Sequence, residues 1–337
     1  MHALMIEGTG RCAIHDIPEP TPGPGEVLVG VRHVGLCGSD LATFTGLNPL
    51  VSLPRIPGHE IGGEILAVGA GVPAAYAPGQ RVIAVPYTAC GHCPSCRKGH
   101  VNACRSNKTL GVQQDGGLAE RIVLPHDKLI LNSRLAPRHL ALVEPLSVGF
   151  HAAARGRIAA GERVVVIGCG MIGTGAVAGA VARGAEVIAV DLGEKTAIAR
   201  AYGARHTIDA AREDVAARVN EITGGDGADV VIEAVGTPGT FTQAIDLVGF
   251  SGRVVYIGYC KAPVSYETRF FNMKELDIMG SRNALAEDFT AVIRYLEGLD
   301  HAPDDLISKV FPFAEADKAL PFWVENRANV LKILISF

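Results

Sequence analysis

Two domains, one β-rich and barrel-like, the other a doubly wound α/β domain around a parallel sheet, are what this sequence predicts. Three observations carry that expectation. The 337 residues exceed one ordinary core and suit two. In the first half, short apolar stretches with strand period are separated by Gly- and Pro-rich turns. In the second half, continuous apolar stretches alternate with small-residue helical ones, the pattern of βαβ units.

Composition narrows the function. Hydrophobic residues make up 48% and charged residues 20%, as in globular proteins. Net charge is −4 with no basic run, which argues against a nucleic-acid surface. Met1 to Glu7 lacks the charged and apolar regions of a secretory signal, and the apolar run from Val164 to Val190 is too interrupted by glycine and charge to cross a membrane. There are eight cysteines, four of them within residues 90–104. Without an export signal, such clustering points to metal rather than disulfides, and to a cytoplasmic protein.

In the first half, Pro18 to Gly25 is a stiff connector. Val27, Val29 and Val31 alternate as in a strand, which delivers Cys37 at its end. Residues 61–69, 80–85 and 118–124 read as further strands. Cys37, His59 and Glu60 offer a thiolate, an imidazole and a carboxylate, a reasonable donor set for a catalytic zinc, with the Ser39 hydroxyl two residues past the sulfur. Taken singly, Cys37 reads equally as a buried free thiol and His59 as a loop imidazole. Cys90, Cys93, Cys96 and Cys104, with gaps of two, two and seven residues, can close around one structural zinc. A redox Cys-x-x-Cys would not need the third and fourth thiols. His92 and His100 read as solvated bystanders. Glu144, just before Pro145, reads by itself as a helix-start residue.

In the second half, the strand Arg163 to Ile167 runs into Gly168-Cys169-Gly170-Met171-Ile172-Gly173 and a helix. A second strand, Glu186 to Val190, ends at Asp191, 18 positions after the last glycine. In that context Gly-x-Gly-x-x-Gly is the dinucleotide fingerprint: the glycines admit the pyrophosphate, and the helix N-terminus supplies free N–H groups. Asp191 suits the ribose hydroxyls and disfavours a phosphate there, so NAD is expected over NADP; Lys195 softens that preference. Strands at 205–209, 229–233, 253–258 and 276–280 bring the total to six. Gly236 and Gly258, at strand ends, are candidates to edge the cofactor, or ordinary turn glycines. Helices at 286–298 and 314–325 and a strand at 329–336 return to the first domain, giving expected domains of 1–148 and 149–285 with a return at 286–337. Cofactor and substrate are expected in the cleft between them.

Together, Cys37-Gly38-Ser39, Gly58-His59-Glu60 with Gly63, Gly69 and Val72, the four-cysteine lobe and the glycine fingerprint resemble the zinc-containing medium-chain dehydrogenase/reductases. Val143 to Gly149 is similar to the sorbitol dehydrogenase branch. Gly111 to Gly117 and Met279 to Ala284, with Glu287 to Phe289, are similar to L-galactonate 5-dehydrogenase-type enzymes. The resemblance implies a GroES-like β-barrel catalytic domain plus a Rossmann domain and a homodimer or homotetramer. It implies two zinc ions per chain: a catalytic ion on Cys37 and His59, with Glu60 and Glu144 ligating or holding its water, and a structural ion on the four cysteines. Ser281 joins the expected cofactor contacts. The family's relay histidine, five residues after the first zinc cysteine, is here Ala42.

The expected reaction oxidises a secondary alcohol of a polyol or sugar acid to a ketone. Zinc polarises the alcohol, Ser39 takes its proton and NAD takes the hydride. Arg282 is a candidate for the substrate carboxylate, or else a surface ion-pair residue. An L-threonine 3-dehydrogenase is the alternative enzyme, and a nucleotide-binding structural or redox-sensing protein the non-enzymatic one.

Overall fold

The computed structural model describes residues 1–193 and 195–337, and the chain forms two compact units: residues 1–144 with 296–337, and residues 145–295. Both divisions fall inside helices, where no change of composition marks them, rather than at 148 and 285.

The first unit opens with a hairpin, β1 (His2–Gly8) and β2 (Arg11–Asp16), followed by the long β3 (Glu26–Leu36). Then come α1 (Gly38–Phe44), β4 (Glu60–Val68), β5 (Arg81–Ala84) and β6 (Tyr87–Thr88). The lobe after them holds α2 (Pro94–Arg97) and β7 (Lys108–Thr109), and is followed by β8 (Arg121–Pro125), β9 (Leu129–Leu131) and α3 (Pro137–Leu140). Helix α4 (Val143–Arg155) begins here and continues into the second unit.

The second unit alternates strand and helix: β10 (Arg163–Ile167), α5 (Met171–Val181), β11 (Glu186–Asp191), α6 (Lys195–Ala201), β12 (His206–Asp209), α7 (Val215–Thr223) and β13 (Ala228–Glu233). It continues through α8 (Pro238–Leu247), β14 (Val248–Tyr256), α9 (Arg269–Met273), β15 (Asp277–Gly280) and α10 (Ala286–Glu297). The chain then returns to the first unit as β16 (Lys309–Pro312), α11 (Ala319–Glu325) and β17 (Ile333–Ser336).

Among the described residues, the large sheet of the first unit runs β16-β17-β3-β4-β5-β9, with β8 also on β3. Strand β3 is its spine: Val27, Val29 and Val31 turn inward at period two and are almost fully buried beside Ile61, Ile65, Ile333 and Ile335. The sheet of the second unit is parallel in the order β12-β11-β10-β13-β14-β15, so the winding reverses between β10 and β13. Alternate residues of its strands feed two cores. Val164, Val166, Val230 and Ile232 face one layer of helices; Val165, Ile167, Val231 and Val254 face the other. That is why these strands read as continuous apolar runs.

Four expected elements differ in extent; one of them, the strand at 253–258, is the longer β14, Val248–Tyr256. The strand at 118–124 begins only at Arg121, because Leu118 is engaged elsewhere: its N–H donates to Pro57 O and its carbonyl accepts from Leu4 N–H. The helix at 314–325 is a 3₁₀ segment, Phe313–Lys318, followed by α11, with Glu315 non-helical between turns. The strand at 329–336 shrinks to Ile333–Ser336, since Asn329 N–H closes a turn onto Asn326 O.

At the end of β10, Gly168 adopts φ +96°, which suits glycine. Gly173 has no room for a side chain: a Cβ would lie 1.7 Å from Gly168 O. Gly173→Ala is therefore expected to destabilise the chain by about 1–3 kcal/mol, read as a lower urea midpoint by circular dichroism. An unchanged midpoint would contradict this packing.

Candidate active site and metal centres

β3 ends at Leu36, and Cys37 caps α1. Two residues into that helix, Asp40 turns back: its Oδ2 accepts the Cys37 N–H at 2.8 Å and its Oδ1 accepts the Gly58 N–H at 3.3 Å. Asp40 is 1% exposed, so a buried carboxylate joins the two segments that carry Cys37 and His59. Glu60 opens β4 directly opposite Gly35 of β3. A Cβ on Gly35 would lie 1.9 Å from Glu60 Oε2, so the glycine leaves the space that the carboxylate fills. Cys37, His59 and Glu60 each bring a potential ligand atom within 4.8 Å of the others.

Glu60 is fully buried and has a cation. Lys332 Nζ, from the residue before β17, donates to both of its oxygens at 2.6 Å and to Leu36 O at 2.9 Å. Burial alone would lower the Lys332 pKa; Glu60 and Cys37 reverse that and raise it. Glu144, in the first turn of α4, is also buried and accepts the Tyr87 hydroxyl. Burial pushes its carboxyl up to about 7, against the pull of His59. For His59, burial is outweighed by Cys37, Asp40 and Glu144, which carry the imidazole well above its usual value.

Burial acts on all three groups, raising Glu144, whereas acidic neighbours raise Lys332 and His59 against it. Four acidic groups, the Cys37 thiol and the carboxyls of Asp40, Glu60 and Glu144, face Lys332 and the His59 imidazole. A divalent cation balances them, and buried charge is tolerated only when balanced. His59 Nδ1 and Ser39 Oγ are buried without a hydrogen-bond partner among the described residues. Such orphans are rare; Ser39 Oγ suits a substrate hydroxyl. The donor set fits zinc, with Cys37, His59 and Glu60 as the group of three and Glu144 outside it.

The four-cysteine lobe is simpler. Sulfur separations are 3.5 Å for Cys93–Cys96, 3.9 Å for Cys93–Cys104 and 3.5 Å for Cys90–Cys104. A disulfide needs about 2.05 Å, whereas ligands about 2.3 Å from a tetrahedral zinc stand ~3.8 Å apart. The sulfurs therefore suit one closed zinc site. Backbone N–H groups of Cys90 and Ser106 reach the Cys104 sulfur at 3.3 Å each, and those of Cys96 and Arg105 bring the Cys93 thiol down to about 6. His92 and His100 are exposed.

In the second unit the fingerprint glycines have three different reasons. Gly168 makes the turn and Gly173 the helix contact, whereas a Cβ on Gly170 would meet no atom within 4 Å. The open space at Gly170, before Met171 and Ile172 start α5, is where a pyrophosphate would approach. Asp191 ends β11; its Oδ2 accepts the Cys169 N–H at 2.5 Å and its Oδ1 the Leu192 N–H at 2.6 Å, so it braces the glycine turn. Lys195 begins α6. Gly236, at φ +87°, packs on the Tyr259 backbone, and a Cβ on Gly258 would strike Glu233 Oε2 at 2.4 Å, so packing alone accounts for both glycines. Ser281 follows β15 with its Oγ buried and without a partner among the described residues. Arg282 is exposed in the same loop, in the second unit, whereas Ser39 belongs to the first.

Asp40, Tyr87 and Lys332 were not singled out from the sequence. Lys332 does carry a signal, a lone charge inside the apolar run Val330 to Ile335; Asp40 shows itself only as an acid in the first turn of a helix. Lys332→Met should cost about 3–5 kcal/mol by stranding the Glu60 carboxylate, read from denaturant unfolding; a variant as stable as the native chain would refute the pairing. Cys96→Ala should lower bound zinc from two ions to one per chain and lower the melting temperature; unaltered zinc content and melting would refute the lobe.

The alcohol dehydrogenase GroES-like domain family matches residues 23–134, and the zinc-binding dehydrogenase family matches residues 172–298. L-galactonate-5-dehydrogenase of Escherichia coli K12 is 35% identical over 322 residues, covering 94% of each chain. Sorbitol dehydrogenase of Halalkalibacterium halodurans is 33% identical over 98% of this chain and 96% of its own. The crystal structure of an alcohol dehydrogenase from Escherichia coli CFT073, complexed with NADH, superposes with a TM-score of 0.92 at 30% identity, covering 100% of this chain and 99% of its own. The barrel-like unit and the six-stranded parallel sheet agree with these matches, and the chain belongs to the zinc-containing medium-chain alcohol dehydrogenase family, as a zinc- and nicotinamide-dependent enzyme of its polyol dehydrogenase-like branch.

Proposed function

We propose that this enzyme oxidises a secondary alcohol of a polyol or sugar acid to a ketone, with NAD as the hydride acceptor. The observation that carries the reading is the convergence of Cys37, His59 and Glu60, balanced by Lys332, in a chain that also has the glycine fingerprint ending at Asp191. The polyol and sugar-acid class is supported by the names of the relatives, L-galactonate-5-dehydrogenase and sorbitol dehydrogenase.

Cys37, His59 and Glu60 would hold the catalytic zinc, which supplies Lewis acidity to lower the pKa of the alcohol. NAD, when bound, supplies the electrophilic nicotinamide ring. Ser39 accepts the alcohol proton on its partnerless Oγ. Lys332 holds Glu60 at a fixed place, and Tyr87 does the same for Glu144, which stands by to hold a water. Asp191, at the end of β11, favours unphosphorylated ribose, hence NAD over NADP. With Ala42 at the usual relay position, the proton leaves Ser39 through ribose hydroxyls and water. Gly168, Gly170, Met171, Ile172 and Gly173 cradle the pyrophosphate, and Lys195, Gly236, Gly258 and Ser281 border the cofactor. Arg282 is the candidate for a substrate carboxylate.

A panel of aldonates and polyols with NAD and NADP is the direct test, followed by reduced-cofactor absorbance. Oxidation of aldonates or polyols with NAD is expected; activity confined to L-threonine would overturn the substrate class. Cys37→Ser should abolish turnover and leave NAD binding intact, and Ser39→Ala should lower kcat by about 10²–10⁴-fold. Turnover retained in Cys37→Ser would refute the metal role.

A further inference from the structure

Glu233, the last residue of β13, is fully buried, and the mechanism above does not use it. Its two acceptors gather five donors. The side-chain Oε1 takes the N–H of Val235 at 2.9 Å, the N–H of Gly236 at 2.7 Å and the Thr240 hydroxyl at 2.7 Å. Its main-chain carbonyl takes the N–H of Ile257 at 2.9 Å and of Gly258 at 3.1 Å. One residue thus fixes the loop after β13 and the loop after β14.

Those loops stand at the reversal of the sheet. Ala234 N–H donates to Ile167 O at the end of β10, and a Cβ on Gly168 would lie 2.7 Å from Val235 Cγ2. The loop after β13 therefore abuts the glycine turn directly. In an open α/β sheet, ligands lie beyond the carboxyl ends of the strands at the reversal point. The adenosine half belongs with β10 and β11, which carry the glycines and Asp191. The other half must then cross to the ends of β13 and β14.

We propose that Glu233 is a positioning residue for the nicotinamide half of the dinucleotide: its buried carboxylate shapes the strand-end loop at 234–237, beside the loop at 257–258 that its main-chain carbonyl holds, and that half rests on both. The proposal rests on the reading that this unit binds NAD. Oε2 has no hydrogen-bond partner among the described residues and packs against Gly258, so the acceptor that matters is Oε1. Glutamine keeps that acceptor and alanine removes it.

Calorimetric binding of NAD and of AMP to the zinc-loaded native chain, Glu233→Gln and Glu233→Ala separates positioning from mere stability. AMP reports the adenosine half alone. Glu233→Ala should raise the Kd for NAD on the order of tenfold, as two or three hydrogen bonds are lost, with the AMP Kd unchanged. Glu233→Gln should bind NAD within about threefold of native, since the Oε1 bonds persist. Should Glu233→Ala fail to fold, Thr240→Val, which removes one donor from the same oxygen, should weaken NAD and spare AMP. Equal weakening of AMP and NAD, or no weakening of NAD in a folded variant, overturns the proposal. Failure of the native chain to bind NAD overturns the function proposed above, and this inference with it.

Discussion

Charge balance in a dry pocket governs the first unit. Glu60 and Glu144 are held out of water beside Cys37, and Lys332 supplies one positive charge. Without further compensation the pocket raises the proton affinity of its own side chains, as His59 and Glu144 display. A divalent ion relieves the same excess without a proton. The demand for metal is thus built from burial and charge, and the individual ligands express it.

The sheet makes this burial possible. Strand β3 carries β4 on one side and β17 and β8 on the other, so Cys37, Glu60 and Lys332 arrive from three parts of the chain at the end of one strand. The missing side chain at Gly35 creates the volume for Glu60, and Asp40 fixes the Cys37 backbone to Gly58. Ligands on strands and braced turns hold their geometry better than ligands on free loops. The second unit applies the same economy at the glycine turn, where Asp191 holds the Cys169 N–H.

Much of this was legible in the sequence, for identifiable reasons. The six parallel strands announced themselves because both faces are buried and the apolar runs are unbroken. The four cysteines did so through spacing, which is local. What escaped depended on partners distant in sequence. Glu144 by itself reads as a helix start and reached the metal only through the family resemblance, while its partner Tyr87 and the Glu60 partner Lys332 were not singled out. Strand ends were misjudged at Leu118 and Asn329, where propensity favoured a strand but the neighbouring backbone was already committed elsewhere.

Lys332 stands 272 residues after Glu60. During synthesis, domains fold largely from the N-terminal side, so the acid and the thiol exist long before their counter-charge emerges. The whole second unit is made in the interval. The buried Glu60 carboxylate therefore gains its counter-charge only when β17 pairs with β3 and sets Lys332 beside it.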